Sequence, residues 1–148
     1  MPMTAFDRQL GLRVLAAHQF IYERTGGRIG RRLGKAPMLL LETNGRKTGR
    51  PRRVALLYHH DRNNYVVIGS KGGSDAPPAW LLNLQATPDV RVQVGTSRFP
   101  ARARVAAGDE RRRLWMEVTR VWPNYDKYQT RTARQIPVVV LTPTGAGG

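Results

Sequence analysis

The chain reads as a single-domain α+β protein, mainly β, built on a small antiparallel, barrel-like sheet with flanking helices. Three observations predict this. Segments of strand composition follow one another through short, turn-rich connections, with no alternating strand–helix–strand series. Two of them, DVRVQV at 89–94 and RFPARARV at 98–105, alternate strictly between apolar and polar residues, so each has one dry and one wet face. The length, 148 residues, suffices for one hydrophobic core. No dinucleotide fingerprint is present, which argues against a doubly wound sheet.

Taken in order, Phe6, Leu10, Val14, Ala17 and Ile21 fall at helical spacing and predict an amphipathic helix over 4–24, stopped by Gly26 and Gly27. Residues 1–27 are thus an N-terminal helix ahead of a barrel domain at 28–148. Residues 28–35 (RIGRRLGK) form a basic linker. It is not a phosphate-binding P-loop: three residues, not four, separate Gly30 from Gly34, and Ala36 follows the lysine. Residues 38–43 and 52–59 are strands, 61–64 (DRNN) a hairpin turn, and 64–70 (NYVVIGS) a third strand. After the glycine-rich SKGGS at 70–74, Pro77 and Pro78 open a short helix through Gln85. The two alternating strands follow, then a helix capped at 108–110 that carries Leu114, Val118 and Val121 and ends at Pro123. The segment 122–128 (WPNYDKY) is aromatic but too polar for plain core. Residues 136–141 (IPVVVL) form a last, buried strand.

Charge is the unusual bulk feature: 25 Lys+Arg against 10 Asp+Glu, net +15. Such a field attracts nucleic acid, anionic lipid or an anionic small molecule. The absence of cysteine removes disulfides, thiolate nucleophiles and Cys-ligated metals, and His18 has no second His or carboxylate at ligand spacing. The N-terminus does not read as a secretory signal, and no apolar run approaches the roughly twenty residues of a membrane span. A cytoplasmic protein is expected.

The charge concentrates in one connection. GRKTGRPRR, residues 45–53, joins two apolar strands and sets Arg46, Lys47, Thr48, Arg50, Arg52 and Arg53 around two glycines. Such a loop can hold an anion with backbone N–H groups, one point charge and several guanidinium forks. A solvated basic hairpin is the plain alternative. The SKGG loop running toward a helix N-terminus is a second candidate anion site. Trp80, at that helix start, suits either a flat ligand or the core.

Together, GRKTGRPRR after an apolar strand, YVVIGSKGG, PPAWLLNLQATPDVRVQVG and YDKYQTRTARQIPVVVLTP resemble the deazaflavin-dependent nitroreductase family over residues 28–142. These are split β-barrel, FMN-binding-like reductases, found mainly in actinobacteria, that use the 8-hydroxy-5-deazaflavin coenzyme F420. The resemblance implies hydride transfer from the reduced deazaflavin to a planar, hydrophobic electrophile: a quinone, enone or nitroaromatic. It assigns Arg46, Lys47, Thr48 and Arg52 to the phosphate and oligoglutamate tail. Arg53, Val54, Ala55, Leu56 and Leu57 would line the cofactor along their strand. Ile68, Gly69, Ser70 and Lys71 would meet the ring, and Ala79, Trp80, Leu81, Leu82 and Asn83 would wall its other side. Tyr125 would lie over ring and substrate, with Tyr128 close by; Ser70, Tyr125 and Tyr128 are the catalytic candidates for holding or protonating the acceptor. Where characterised nitroreducing members have tyrosines beside the substrate, this chain has Leu57 and Trp122, a more apolar pocket that favours quinones.

Three other readings stand beside this one. A basic nucleic-acid-binding protein would need a reader motif, and none is present. A split barrel can instead bind FMN or haem, or sequester F420. The 4–24 helix can attach peripherally to a membrane. Monomer and homodimer both suit the architecture.

Overall fold

In the computed structural model, which describes residues 32–33 and 36–145 with side chains from Pro37 onward, the two alternating segments lie at the centre of one antiparallel sheet. The helix expected over 4–24 lies outside the described residues. The strands are β1 (Arg32–Leu33), β2 (Ala36–Asn44), β3 (Pro51–Leu57), β4 (His59–Asp61), β5 (Asn64–Ile68), β6 (Asp89–Val94), β7 (Ser97–Val105) and β8 (Val138–Pro143). Helices α1 (Ala79–Ala86), α2 (Gly108–Val121) and α3 (Asn124–Thr130) complete the described residues, with a 3-10 turn at Lys71–Gly73. β2, β6, β7, β8, β5 and β4 follow one another across the sheet, and β1 and β3 both pair with β2. The curled sheet is a split barrel.

Period-two alternation decides what each face buries. Leu41, Val92 and Phe99 stand in register across β2, β6 and β7 and point into the barrel. There they join Leu39, Val67, Val139 and Leu141, and α1 closes that end with Trp80, Leu81 and Leu84. The alternate residues of β5 and β8, Val66, Ile68, Val138 and Val140, face outward onto Leu114 and Val118 of α2 and Tyr125 of α3. β8 is therefore covered on both sides, and its apolar run needs no alternation. Leu114 is wholly buried, worth about 1.5–3 kcal/mol of transfer free energy.

Several elements differ from expectation for physical reasons. The run 52–59 is two strands: β3 ends at Leu57, opposite Met38, and the chain changes partner at Tyr58, so that His59 opens β4 opposite Val66. Tyr58 turns inward and packs edge-on against Tyr65, ring centroids 5.4 Å apart. The expected basic linker contains β1, which folds back on the start of β2. The aromatic segment contains α3, because Pro123 suits the turn before a helix while ending α2. Val121, placed on the apolar stripe of α2, is 58% exposed. The expected cap at 108–110 is also displaced: Ala107 holds that position without a side-chain bond, and Asp109 and Glu110 sit in the first turn. An ionic cluster ties the β4–β5 hairpin to α2: Arg113 bridges Asp61 and Glu117, and Glu117 meets His59 Nε2 at 3.3 Å.

Candidate functional site

The 45–53 connection is a closed hairpin loop. Gly45 N–H donates to Arg50 O at 2.8 Å, Gly49 N–H to Gly45 O at 2.7 Å, and Arg50 N–H to Thr48 Oγ1 at 3.2 Å. Gly49 has φ +72°, a conformation that costs a side-chain-bearing residue. With the backbone bonded to itself, Arg46, Lys47, Arg50 and Arg52 stand exposed at one end of the sheet.

Asn83 of α1 fixes this loop. Only 4% exposed, it accepts from Arg46 N–H and from Arg46 Nη1, both at 3.1 Å, and donates through Nδ2 to Thr43 Oγ1 at 3.1 Å. Asn83, expected at the cofactor, uses both side-chain polar atoms on the loop and β2. Register separates the two arginines that follow: Arg52 lies opposite Thr43, whereas Arg53, opposite Glu42, points from the other face and pairs with Glu42 Oε2 at 2.9 Å. Val54 and Leu56 pack on the barrel interior, and Ala55 and Leu57 alternate outward. Among the described residues β3 is hydrogen-bonded on the β2 side alone; it touches β5 without a ladder, so within them its outer edge along this seam has no strand partner.

The second loop lies across α1 from the first. A Cβ built on Gly69 would sit 3.5 Å from Leu81 Cδ2, so α1 reaches one loop through Asn83 and the other through Leu81. Lys71, Gly72 and Gly73 run left-handed, with φ 46°, 65° and 82°. A positive φ at lysine is a strained state that persists only where its surroundings impose it. They do. Arg134 donates from Nε to Ser74 O at 2.8 Å, from Nη1 to Gly69 O at 3.1 Å and from Nη2 to Ser70 O at 2.8 Å. Arg131 Nη1 donates to Gly72 O at 3.3 Å. Gly73 packs so closely on α3 that a Cβ would fall 2.6 Å from Tyr128 O.

The aromatic candidates adjoin this loop. Tyr125 makes edge-on contacts with Trp122 at 6.4 Å and Tyr128 at 5.8 Å, and Arg131 sits over the Tyr128 ring. Tyr125 is 8% exposed; burial, and secondarily the neighbouring Tyr128, holds its phenol well above the usual tyrosine range. A buried neutral phenol is a hydrogen-bond donor and a poor proton source near neutrality. Ile68 and Ser70 are buried, Lys71, Ala79 and Lys47 are exposed, Leu82 is half-buried, and Trp80 and Leu81 belong to the interior core.

Part of the expected set lies along one seam, while Trp80, Leu81, Val54 and Leu56 turn into the barrel interior and Arg53 points from the other face. The cationic loop is at one end, the β3 edge and the Gly69–Gly73 loop lie along it, and the aromatic trio follows that loop. A separate hollow of about 360 Å3 on the outer face is lined by Leu40, Glu42, Arg53, Arg91, Val92, Gln93 and Arg98. Arg53 is the one expected residue that reaches it, paired there with Glu42, and the seam is the better candidate. Sequence reasoning missed Arg134, whose partners lie 60 or more residues away. Arginine beside a glycine loop is uninformative in so basic a chain.

Comparison with known proteins bears on the family and the fold. The sequence model of the F420H(2)-dependent quinone reductase family matches residues 14–143. An F420H(2)-dependent quinone reductase of Mycobacterium tuberculosis is 46% identical over 140 residues, covering 92% of this chain and 94% of that protein. Among solved structures, an F420-H2 dependent reductase superposes with TM-score 0.66 at 38% identity, covering 71% of this chain and 93% of that one. A second, described as a domain-swapped dimer, gives TM-score 0.68 at 35% identity, covering 86% and 96%.

Proposed function

The chain belongs to the F420H(2)-dependent quinone reductase family and is an F420-dependent oxidoreductase with coenzyme F420 as cofactor; we propose that it transfers a hydride from the reduced cofactor to a planar, hydrophobic quinone. The observation that carries this reading is the seam. A strand edge and three loop amides that have no partner among the described residues suit a flat, polar-edged ring, and four exposed cations at one end suit an anionic phosphodiester and oligocarboxylate tail.

Bound there, the reduced deazaflavin supplies the hydride; the chain supplies position. Lys47 and Arg52 would hold the anionic tail, Arg46 is pre-set by Asn83, and the Gly69–Gly73 loop would meet the ring edge. Tyr125 donates a hydrogen bond to the acceptor oxygen and stabilises charge gathering there. Because burial disfavours its phenolate, the proton that completes reduction comes from solvent. Leu57 and Trp122, which the sequence resemblance sets opposite tyrosines of nitroreducing members, would make the pocket more apolar and favour a quinone over a nitroaromatic or an enone. The relative described as a domain-swapped dimer supports a homodimer for this chain as well, which light scattering would measure.

The test is a fluorescence titration with F420 beside FMN and NADPH, then oxidation of F420H2 by menadione or a nitroimidazole. The reading expects F420 binding that Lys47→Ala and Arg52→Ala weaken, a loss greatest at low ionic strength, and turnover faster with the quinone. Preferential FMN binding would sink the cofactor assignment. Nitroimidazole turnover without quinone turnover would sink the acceptor.

A further inference from the structure

We propose that Arg134 is a positioning residue for the cofactor: it holds the Gly69–Ser74 loop in the left-handed form that presents the Ser70, Lys71 and Gly72 amides to the ring. This rests on the seam as the F420 site.

The loop's polar groups divide into two sets. Carbonyls turn toward Arg134, which binds those of Gly69, Ser70 and Ser74, while Arg131 takes that of Gly72. The amides of Gly69, Gly73 and Ser74 are bonded to Pro137 O, Ser70 O and Lys71 O. Those of Ser70, Lys71 and Gly72 donate to no acceptor among the described residues. Three successive amides left open beside a cationic guanidinium form a concave donor set suited to the electron-rich edge of a ligand. Drawing the carbonyls to one side is what frees the amides on the other.

Among the described residues Arg134 makes the most bonds to this geometry, three against one from Arg131, with the packing of Gly73 on α3 beside them. The left-handed φ of Lys71 is unfavourable in isolation, and the turn's own bonds, Gly73 N–H to Ser70 O and Ser74 N–H to Lys71 O, are too few to impose it. A lysine at 134 could not span three carbonyls, because it lacks the planar fork. Arg134 is itself placed by α3: Gln129 Nε2 donates to Arg134 O at 2.7 Å, and Gln129 Oε1 accepts from Ile136 N–H at 2.9 Å. The segment that orients the cofactor loop therefore continues directly from the helix bearing Tyr125 and Tyr128, so ring and acceptor contacts share one mounting.

The experiment compares wild type with Arg134→Lys, Arg134→Gln and Arg134→Ala by hydrogen exchange without cofactor and by F420 titration. We expect faster exchange confined to 69–74 in Arg134→Gln, and F420 affinity weaker by roughly tenfold to a hundredfold. Millimolar guanidinium should restore affinity to Arg134→Ala, where sodium chloride at equal ionic strength does not; Arg134→Lys should fall between wild type and Arg134→Gln. Unchanged exchange and affinity would overturn the proposal. So would loss of affinity without guanidinium rescue and with exchange raised evenly across the sheet, since Arg134 would then support only the fold. If wild type itself fails to bind F420 while 69–74 still loosens in Arg134→Gln, the cofactor site falls and the loop clamp stands.

Discussion

Replacing Asn83 by alanine should loosen the cationic loop by an amount the geometry sets. Three hydrogen bonds at 3.1 Å are lost, in a site where Asn83 is 4% and Thr43 1% exposed. A buried bond is worth about 0.5–1.5 kcal/mol net, and abandoned buried partners add a desolvation cost. The Arg46 amide and the Thr43 hydroxyl are left without their acceptor and donor, whereas the Arg46 guanidinium can turn to water. Asn83→Ala should therefore cost about 2–4 kcal/mol, lowering Tm by about 5–12 °C in a domain of this size. Asn83→Asp keeps an acceptor for both Arg46 donors and should cost less than half as much. Urea denaturation reads both, and a cycle with Arg46→Ala isolates the side-chain pair, expected at about 0.5–1.5 kcal/mol. A cost for Asn83→Ala below about 0.5 kcal/mol would show that the loop does not depend on Asn83 and refute the reasoning.

Further outcomes follow from single contacts. Gly73→Ala pushes a Cβ against Tyr128 O, a backbone atom that cannot swing aside, at φ +82°; it should destabilise by about 1–3 kcal/mol on thermal melting and displace the aromatic helix. In an alkaline titration at 295 nm, one tyrosine, removed by Tyr125→Phe, should stay un-ionised until the protein unfolds. Its raised folded pKa means that the stability from its burial is full below about pH 10 and fades as pH rises beyond that. Asp61 is the opposite case: the hydrogen bond from Arg113 lowers its pKa, so its contribution is present above about pH 4 and fades as pH falls, and Asp61→Asn should flatten acid denaturation monitored by circular dichroism.

Much of this architecture is legible in the residues because a half-buried strand writes its burial into every second position. β6 and β7 show it, and the predicted and observed limits of β6 coincide. Where partners matter more than periodicity, the sequence is silent. Nothing local marks Tyr58 as the point where the chain leaves β2 for β5, since the change of partner is set by distant strands. α3 is short and polar, and the aromatics that earned attention as ligand contacts also form its packing face. At the seam, the cationic loop was legible from composition, whereas Arg134 and the bonding of Asn83 depend on distant residues meeting.

The last described strand is not at the rim of the sheet but between β5 and β7. During vectorial synthesis β2 and β3 can pair as soon as they emerge, because a six-residue loop joins them. β5 and β7 must wait with one side open until residues 138–143 leave the ribosome. Arg134 is made only just before that strand, so the loop that would receive the cofactor takes shape in the same closing event. A chain cut before residue 134 would leave two sticky strand edges and an unformed coenzyme cradle together, so that quality control of the fold and competence for cofactor capture become one checkpoint.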